Sequence, residues 1–482
     1  MCPTFGSAKG DNEIMASAQQ LDTEQEDAGA ILAAAAADTT FDDLPDAAIR
    51  NAKWGILDTL GVCIAATTTA DDYLGPVRRW LGNAPSGEVP AVALDRQLTP
   101  LDAILWWGAL AHTLDYDDVA GYSHPSGPAV CAALPTAHAA RIDGRQLITA
   151  VALGQDLVIR LAQAVRKPVS EYGWLPSIPG ILGAAITTSK VLSLNAEQTR
   201  NSLGLALHQT SGTMEALARP GSAYRAVREG FNARAGAMSA YLAGEGMPGD
   251  ATSLEGQYGY FNQFFQGDYD RAFLVNPTLL GPITTFKPWP CAGHPQLFLT
   301  AVADLLKSGE VNPATIKSIR ITGCSDLLPH QCEPIEVRSA PPHSIDAKVS
   351  IPFLIGKLLT HGTITIADFS DEGLKDAPAS ALGERVQWKL DVGLRRGMND
   401  YGIGIVEIEH EDGSTVRTEA AYPLGHPENP LGWDDIVTKF HNCMQLAGLE
   451  HVSEKIVQTV DNLESLPDVT SLLNSIDNDS RE

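Results

Sequence analysis

Long apolar runs are missing from this 482-residue chain. Spanning a bilayer takes roughly 20 consecutive apolar residues, and the apolar stretch Ile31–Ala37 stops at Asp38. The amino terminus carries Asp11 and Glu13, few basic residues and no apolar core, so no signal or transit peptide is expected. Basic residues are scarce throughout. Lys and Arg number 34 against 59 Asp and Glu, a formal charge of −25 that would repel nucleic acid and acidic membrane surfaces. Small anionic substrates stay compatible, because a pocket's local field can differ in sign from the whole. Paired cysteines are lacking too. The seven (Cys2, Cys63, Cys131, Cys291, Cys324, Cys332, Cys443) are scattered and form no Cys-x-x-Cys, which excludes a zinc or disulfide framework and points to a reducing compartment. A soluble, cytoplasmic protein is expected.

What is present is ordinary globular composition, 44% apolar and 19% charged, at a length that implies two or three domains. Residues 1–20 are polar, small and aperiodic, and are expected to be disordered. Asp43-Leu44-Pro45-Asp46 is a helix start signal, and Ile49, Ala52, Ile56, Leu60 and Ile64 then recur at spacings of three and four, one buried helical stripe. The same pattern returns at 101–114, 129–141, 147–165 and 178–192, rich in Ala and Gly that let helix axes approach closely. Up to about residue 265 almost nothing reads as a strand. Around 276–290 proline, glycine and threonine mark a boundary. Beyond it Ile316–Thr322 and Ile403–His410 alternate as strands, the latter entering an Asp412-Gly413 hairpin turn toward Thr415–Ala421. Helical runs 296–306 and 351–359 lie between them, and 433–446 and 453–463 are helical again. The expected fold is mainly α: an all-helical domain from residues 21–275 and 431–475, with an α+β domain, residues 276–430, inserted between. Gly402-x-Gly404 starts a strand with no following helix, so it is not a dinucleotide loop.

One stretch concentrates chemistry. In Leu114-Asp115-Tyr116-Asp117-Asp118-Val119-Ala120-Gly121-Tyr122-Ser123-His124-Pro125-Ser126-Gly127 three carboxylates fall within four positions and an imidazole follows. Pro125 and Gly127 make the segment a loop between two apolar helices. It reads either as a solvated acidic connector with a capping Asp or as a site.

The order of landmarks resembles the MmgE/PrpD family, which includes methylcitrate dehydratases, cis-aconitate decarboxylases and iminodisuccinate epimerases. The resemblance runs from about residue 25 to 470 and rests on several strings. They are Ile56-Leu57-Asp58-Thr59-Leu60-Gly61, Leu114–Asp118 with His124-Pro125, and Gly230 through Gly249 with Leu242-Ala243. Lys287-Pro288-Trp289-Pro290-Cys291 with His294, Asp346-Ala347-Lys348-Val349-Ser350, and Gly425-His426-Pro427-x-Asn429-Pro430 complete the set. The resemblance implies a helical domain built from both chain ends, an inserted lid, a homodimer, and proton transfer next to carboxylates without a cofactor.

Such chemistry needs a base at a carbon beside a carboxylate and fixed cations for the enediolate charge. His124 and His294 are the candidate bases or acids, and Asp115 a candidate orienter. Lys287, Arg225 and Lys348 are candidate carboxylate clamps. Competing readings are a turn cap for His124, an (i, i+4) ion pair with Glu229 for Arg225, and a structural Lys348. The chain departs from the family's pattern at Val119 (for Thr), Leu175 (for His after Gly173-Trp174), Arg225 (for Lys), Arg228 (for His) and Phe353 (for Tyr). Leu175 and Phe353 are expected to make the substrate pocket more apolar, suiting a substrate with fewer carboxylates or an alkyl chain. No metal is expected, since the Asp115–His124 cluster has no EF-hand spacing or closing Glu. Cys291 beside His294 reads as a nucleophile or, more simply, as an inert buried thiol.

The expectation is a lyase acting on a carboxylate-bearing small molecule, of 2-methylcitrate or alkylcitrate dehydratase type. The alternatives are an isomerase, epimerase or cis-aconitate-type decarboxylase on the same scaffold, or a non-catalytic dimeric scaffold.

Overall fold

The computed structural model describes residues 26–69, 71–218, 221–279, 283–397 and 400–477; the expectation for residues 1–20 lies outside them. The long helices before residue 250 are α1 (Ala28–Asp38), α2 (Asp46–Ala66), α3 (Asp71–Leu81), α4 (Pro100–Thr113), α5 (Ser126–Ala140), α6 (Gly144–Gln163), α7 (Gly180–Val191), α8 (Ala196–Leu207) and α9 (Ala223–Gly244). After it come α10 (Gly293–Ser308), α11 (Ile351–His361), α12 (Trp433–Leu446) and α13 (Glu450–Asp461). The fold is mainly α. Among the described residues no helix is long and apolar enough to cross a membrane.

Strands are few. A short antiparallel ribbon joins β1 (Ser86–Pro90) to β2 (Gln97–Leu98), in the stretch expected to lack strands. The larger sheet has the order β4 (Val386–Leu390), β3 (Ile316–Gly323), β5 (Gly404–His410), β6 (Thr415–Ala420), with β3 parallel to β4 and antiparallel to β5. β5 alternates buried and half-buried residues along its length, which is the expected period-2 signal. β4 escaped notice because it is a short edge strand with a single buried residue.

The stripe Ala52, Ile56, Leu60 and Ile64 on α2 is fully buried. It shares one apolar core with Ile436, Phe440 and Met444 of α12 and with Ile456 and Leu473 near the carboxyl end, so both chain ends pack together. A separate core gathers Leu297, Phe298, Ile319, Ile321, Leu354 and Ile408.

One close helix crossing positions the chemistry. A Cβ on Gly108 of α4 would lie 2.6 Å from Gly230 Cα, and one on Gly230 of α9 would lie 2.4 Å from Leu105 O. Both residues must lack a side chain for the axes to come this near. The crossing sets the first turns of α9, with Arg225, Arg228 and Glu229, beside the last turn of α4, with His112.

Candidate active site

The segment from Leu114 to Pro125 is the expected loop between α4 and α5, but it is not solvated. Asp115, Asp117 and Asp118 are 3%, 0% and 0% exposed, and three buried carboxylates require partners.

Asp115 adopts the left-handed conformation, φ 50°, uncommon for a residue with a side chain. Lys287 Nζ holds it there, donating to both the main-chain oxygen and Oδ1 of Asp115 at 2.8 Å. Arg225 Nη2 reaches Oδ2 at 3.3 Å. Burial pushes the Asp115 carboxyl up, but the cations Lys287 and Arg225 beside it hold the group well below the usual carboxylate range.

Asp117 stands between two imidazoles. His112 Nδ1 lies 3.0 and 3.1 Å from its two oxygens. His124 Nδ1 is 2.9 Å from Oδ2, at ion-pair distance though outside hydrogen-bond geometry. The rings meet edge to face, centroids 4.7 Å apart. The carboxylate facing His124 Nδ1 is thus that of Asp117, while Asp115, the candidate orienter of one of the two histidines, has its carboxylate oxygens on Lys287 and Arg225. His112 is kept neutral: burial, reinforced by Arg228, lowers its pKa to about 3. Asp118 faces the other way, accepting from Ser126 N at 3.1 Å and from Ser126 Oγ. Burial raises its pKa to about 7 against the lowering by Ser126.

His294, at the start of α10, donates from Nδ1 to Gln331 Oε1. This bond places the proton on Nδ1 and leaves Nε2 bare, and that buried nitrogen has no hydrogen-bond partner. Burial, only partly offset by Gln331, lowers the His294 pKa to about 4, so the ring is neutral at ordinary pH.

These groups surround a cavity of about 310 Å³. Asp115, His124 and Arg225 line it, with Arg228, His294, Gln331, Arg338 and Tyr401. Its apolar wall comes from Val119, Pro176, Met214, Leu217, Leu327 and Val349. Residues from before 276 and from after 290 thus meet at one space.

Several expected site residues stand elsewhere. Lys287 is fully buried behind Asp115 and does not line the cavity, because its ammonium is spent on Asp115. Lys348 donates to Thr113 O at 3.0 Å and sits 5.5 Å from the Phe369 ring centre, away from the cavity wall. Burial lowers its pKa to about 8. Leu175 is fully buried beside Gly212, one residue short of the lining Pro176. Phe353, near the start of α11, is fully buried in the second core against Phe369. Neither apolar residue reaches the cavity, whose apolar character has other sources. Arg225 does not pair with Glu229 as its helical spacing allowed; Glu229 is taken by Arg228 Nε at 3.1 Å and Asn232 Nδ2 at 3.1 Å. Burial drives the Cys291 thiol far up, as for an inert buried thiol.

Sequence reasoning missed His112, Gln331, Arg338 and Tyr401. His112 had a signal, an imidazole alone in an apolar helix; the others sit in no recognisable string. Among the described residues, His112, Asp115 and His124 offer donor atoms within 4.8 Å of one another. They fit a cation poorly, because Lys287 and Arg225 already neutralise Asp115 and would repel another positive charge.

Similarity to known proteins extends over most of the chain. A cis-aconitate decarboxylase of Aspergillus terreus (strain NIH 2624 / FGSC A1156) is 25% identical over 468 residues, covering 91% of this chain and 93% of that protein. The human cis-aconitate decarboxylase is 24% identical over 444 residues, covering 89% and 90%. A 2-methylcitrate dehydratase of Salmonella typhimurium is 23% identical over 433 residues, covering 82% and 85%. Residues 30–272 match the MmgE/PrpD N-terminal domain and residues 289–465 the MmgE/PrpD C-terminal domain, and the chain belongs to the MmgE/PrpD family.

Proposed function

We propose that the protein is a lyase that removes water from a small hydroxylated carboxylate of the 2-methylcitrate type. The observation that carries this reading is His294, a neutral imidazole with an unpartnered Nε2, on the same cavity as His124 and Arg225. His294 Nε2 takes the proton from the carbon next to a carboxylate. The enediolate charge falls to the guanidinium side of the cavity, where preorganised cations are strongest in the absence of water. His124, backed by Asp117, gives a proton to the departing hydroxyl, so that water leaves and a carbon–carbon double bond forms. Lys287 acts through Asp115, holding the loop that carries His124. No cofactor takes part in this scheme.

Residues 276–430 act as a lid over the helical part, in keeping with the two separate cores and a cavity lined from both. A cytoplasmic homodimer completes the proposal; its thiols stay reduced there, consistent with the six buried free cysteines described.

The test is turnover of 2-methylcitrate by His294→Ala and His124→Ala. Both should lose water elimination while keeping the wild-type circular dichroism spectrum. Full activity in either removes that residue from the scheme, and full activity in both ends it. A second reading, decarboxylation through the same enediolate, is favoured by the cis-aconitate decarboxylases among the relatives. Carbon dioxide release from cis-aconitate, measured beside water loss from 2-methylcitrate, separates the two.

A further inference from the structure

The cavity lining carries three guanidiniums, Arg225, Arg228 and Arg338, against two carboxylates, Asp115 and Asp346. This is a locally cationic space inside a strongly acidic protein. The three arginines are not equivalent. Arg225 is committed to the protein: Nη1 donates to Ile345 O at 2.9 Å and Nη2 to Asp115 Oδ2 at 3.3 Å.

Arg228 is different. It is 4% exposed, and its Nε donates to Glu229 Oε1 at 3.1 Å. Among the described residues its two terminal nitrogens donate to nothing. A guanidinium pinned along its Nε edge presents its Nη1/Nη2 end as a rigid fork, the shape that binds a carboxylate bidentately. A buried cation with two idle donors is costly unless something else accepts from them. Arg228 lies three residues from Arg225, on the same face of α9.

Arg338 belongs to the later part of the chain, on the short helix Ile335–Ser339. Its Nε donates to Glu333 O at 3.3 Å. Arg338 lines the same cavity as Arg225 and Arg228.

We propose that Arg228 and Arg338 form a second carboxylate clamp. It holds a carboxylate of the substrate other than the one beside the reacting carbon, and so selects molecules with at least two carboxylates. The apolar wall of Met214, Leu217 and Val349 takes the uncharged remainder. The inference rests on the carboxylate-substrate reading above and assigns that substrate's second point of attachment.

Binding by isothermal calorimetry tests it without turnover. The probes are tricarballylate, with three carboxylates, and butyrate, with one. The wild type should bind tricarballylate at least about tenfold more tightly than butyrate, the scale of one charge-assisted hydrogen-bonded pair. Arg338→Gln should lower tricarballylate affinity by about tenfold and leave butyrate within about twofold. Arg228→Gln would strand Glu229, so the double variant Arg228→Gln/Glu229→Gln carries the second arm, with the same expected pattern and a wild-type unfolding profile as its control. Equal losses for both probes, or none, overturn the clamp. Equal wild-type affinity for the two probes overturns the clamp while leaving the lyase reading intact. If neither probe binds, the clamp and the carboxylate reading fail together. If turnover of 2-methylcitrate is absent but the binding pattern holds, the clamp stands and only the reaction assignment falls.

Discussion

Lys287 donates to both the main-chain oxygen and the carboxylate of Asp115, each at 2.8 Å, and is fully buried in doing so. One ammonium thereby satisfies a buried charge and a left-handed backbone at once. Lys287→Met would leave the Asp115 carboxylate with Arg225 alone. Stripping one partner from a buried ion pair costs about 3–5 kcal/mol, which urea unfolding would read as a lower midpoint. Adding Asp115→Asn should recover part of the loss. An unchanged midpoint for Lys287→Met would show that the pair contributes nothing to stability.

Asp117→Asn keeps the shape of the loop but removes the charge facing His124 Nδ1. If Asp117 orients that ring for proton transfer, kcat should fall roughly 100-fold, within the range of a positioned acid or base. KM should stay near wild type. A rise in KM with kcat intact would mean that Asp117 shapes the cavity and leaves the reaction alone.

His294 sets a pH dependence of stability. An unfolded imidazole takes a proton below about pH 6.5, whereas burial keeps the folded ring neutral down to about 4. The unfolded chain binds more protons in that window, so this contribution to stability falls as pH drops from about 6.5 to about 4 and levels below. His294→Gln should show a shallower loss than wild type across the same window. Parallel curves would refute the lowered pKa.

Asp118 works in the opposite sense. Its folded pKa is about 7, while an unfolded Asp ionises near 3.8. The folded state holds the extra proton between these values, so the contribution is present at low pH and lost as pH rises through the window. Asp118→Asn should gain stability over wild type at pH 8 compared with the difference at pH 4, measured by urea midpoints. A pH-independent difference would count against it.

Phe353 packs on Phe369 in the second core and does not line the cavity. Phe353→Leu should therefore cost about 1–2 kcal/mol of stability through imperfect repacking and leave kcat/KM unchanged. A shift in substrate preference would return Phe353 to the pocket.

Much of the local architecture was legible in the residues. The α2 stripe, the Asp412-Gly413 hairpin and the loop ending at Pro125 all follow from period, turn chemistry and helix breakers, which act between near neighbours. β1, β2 and β4 were not legible, because short edge strands carry too few buried positions to show a period.

The site divides the same way. Its candidates Asp115, His124, Arg225 and His294 stood out by residue type and family string, and all four line one cavity. Which carboxylate faces which imidazole did not. Adjacent residues in an irregular loop point in directions set by the packing beneath them, so Asp117 meets His112 and His124 while Asp118 turns to Ser126. The same holds for Lys287, Leu175 and Phe353, whose strings matched a site pattern but whose side chains are consumed by Asp115 or by the core. By itself the sequence determined the helices, their breaks and the stock of ionisable groups, since these depend on local backbone preference and composition. Only the tertiary structure decided which groups are paired, neutral or free, because that depends on close approaches such as Gly108 against Gly230, between residues far apart in the chain.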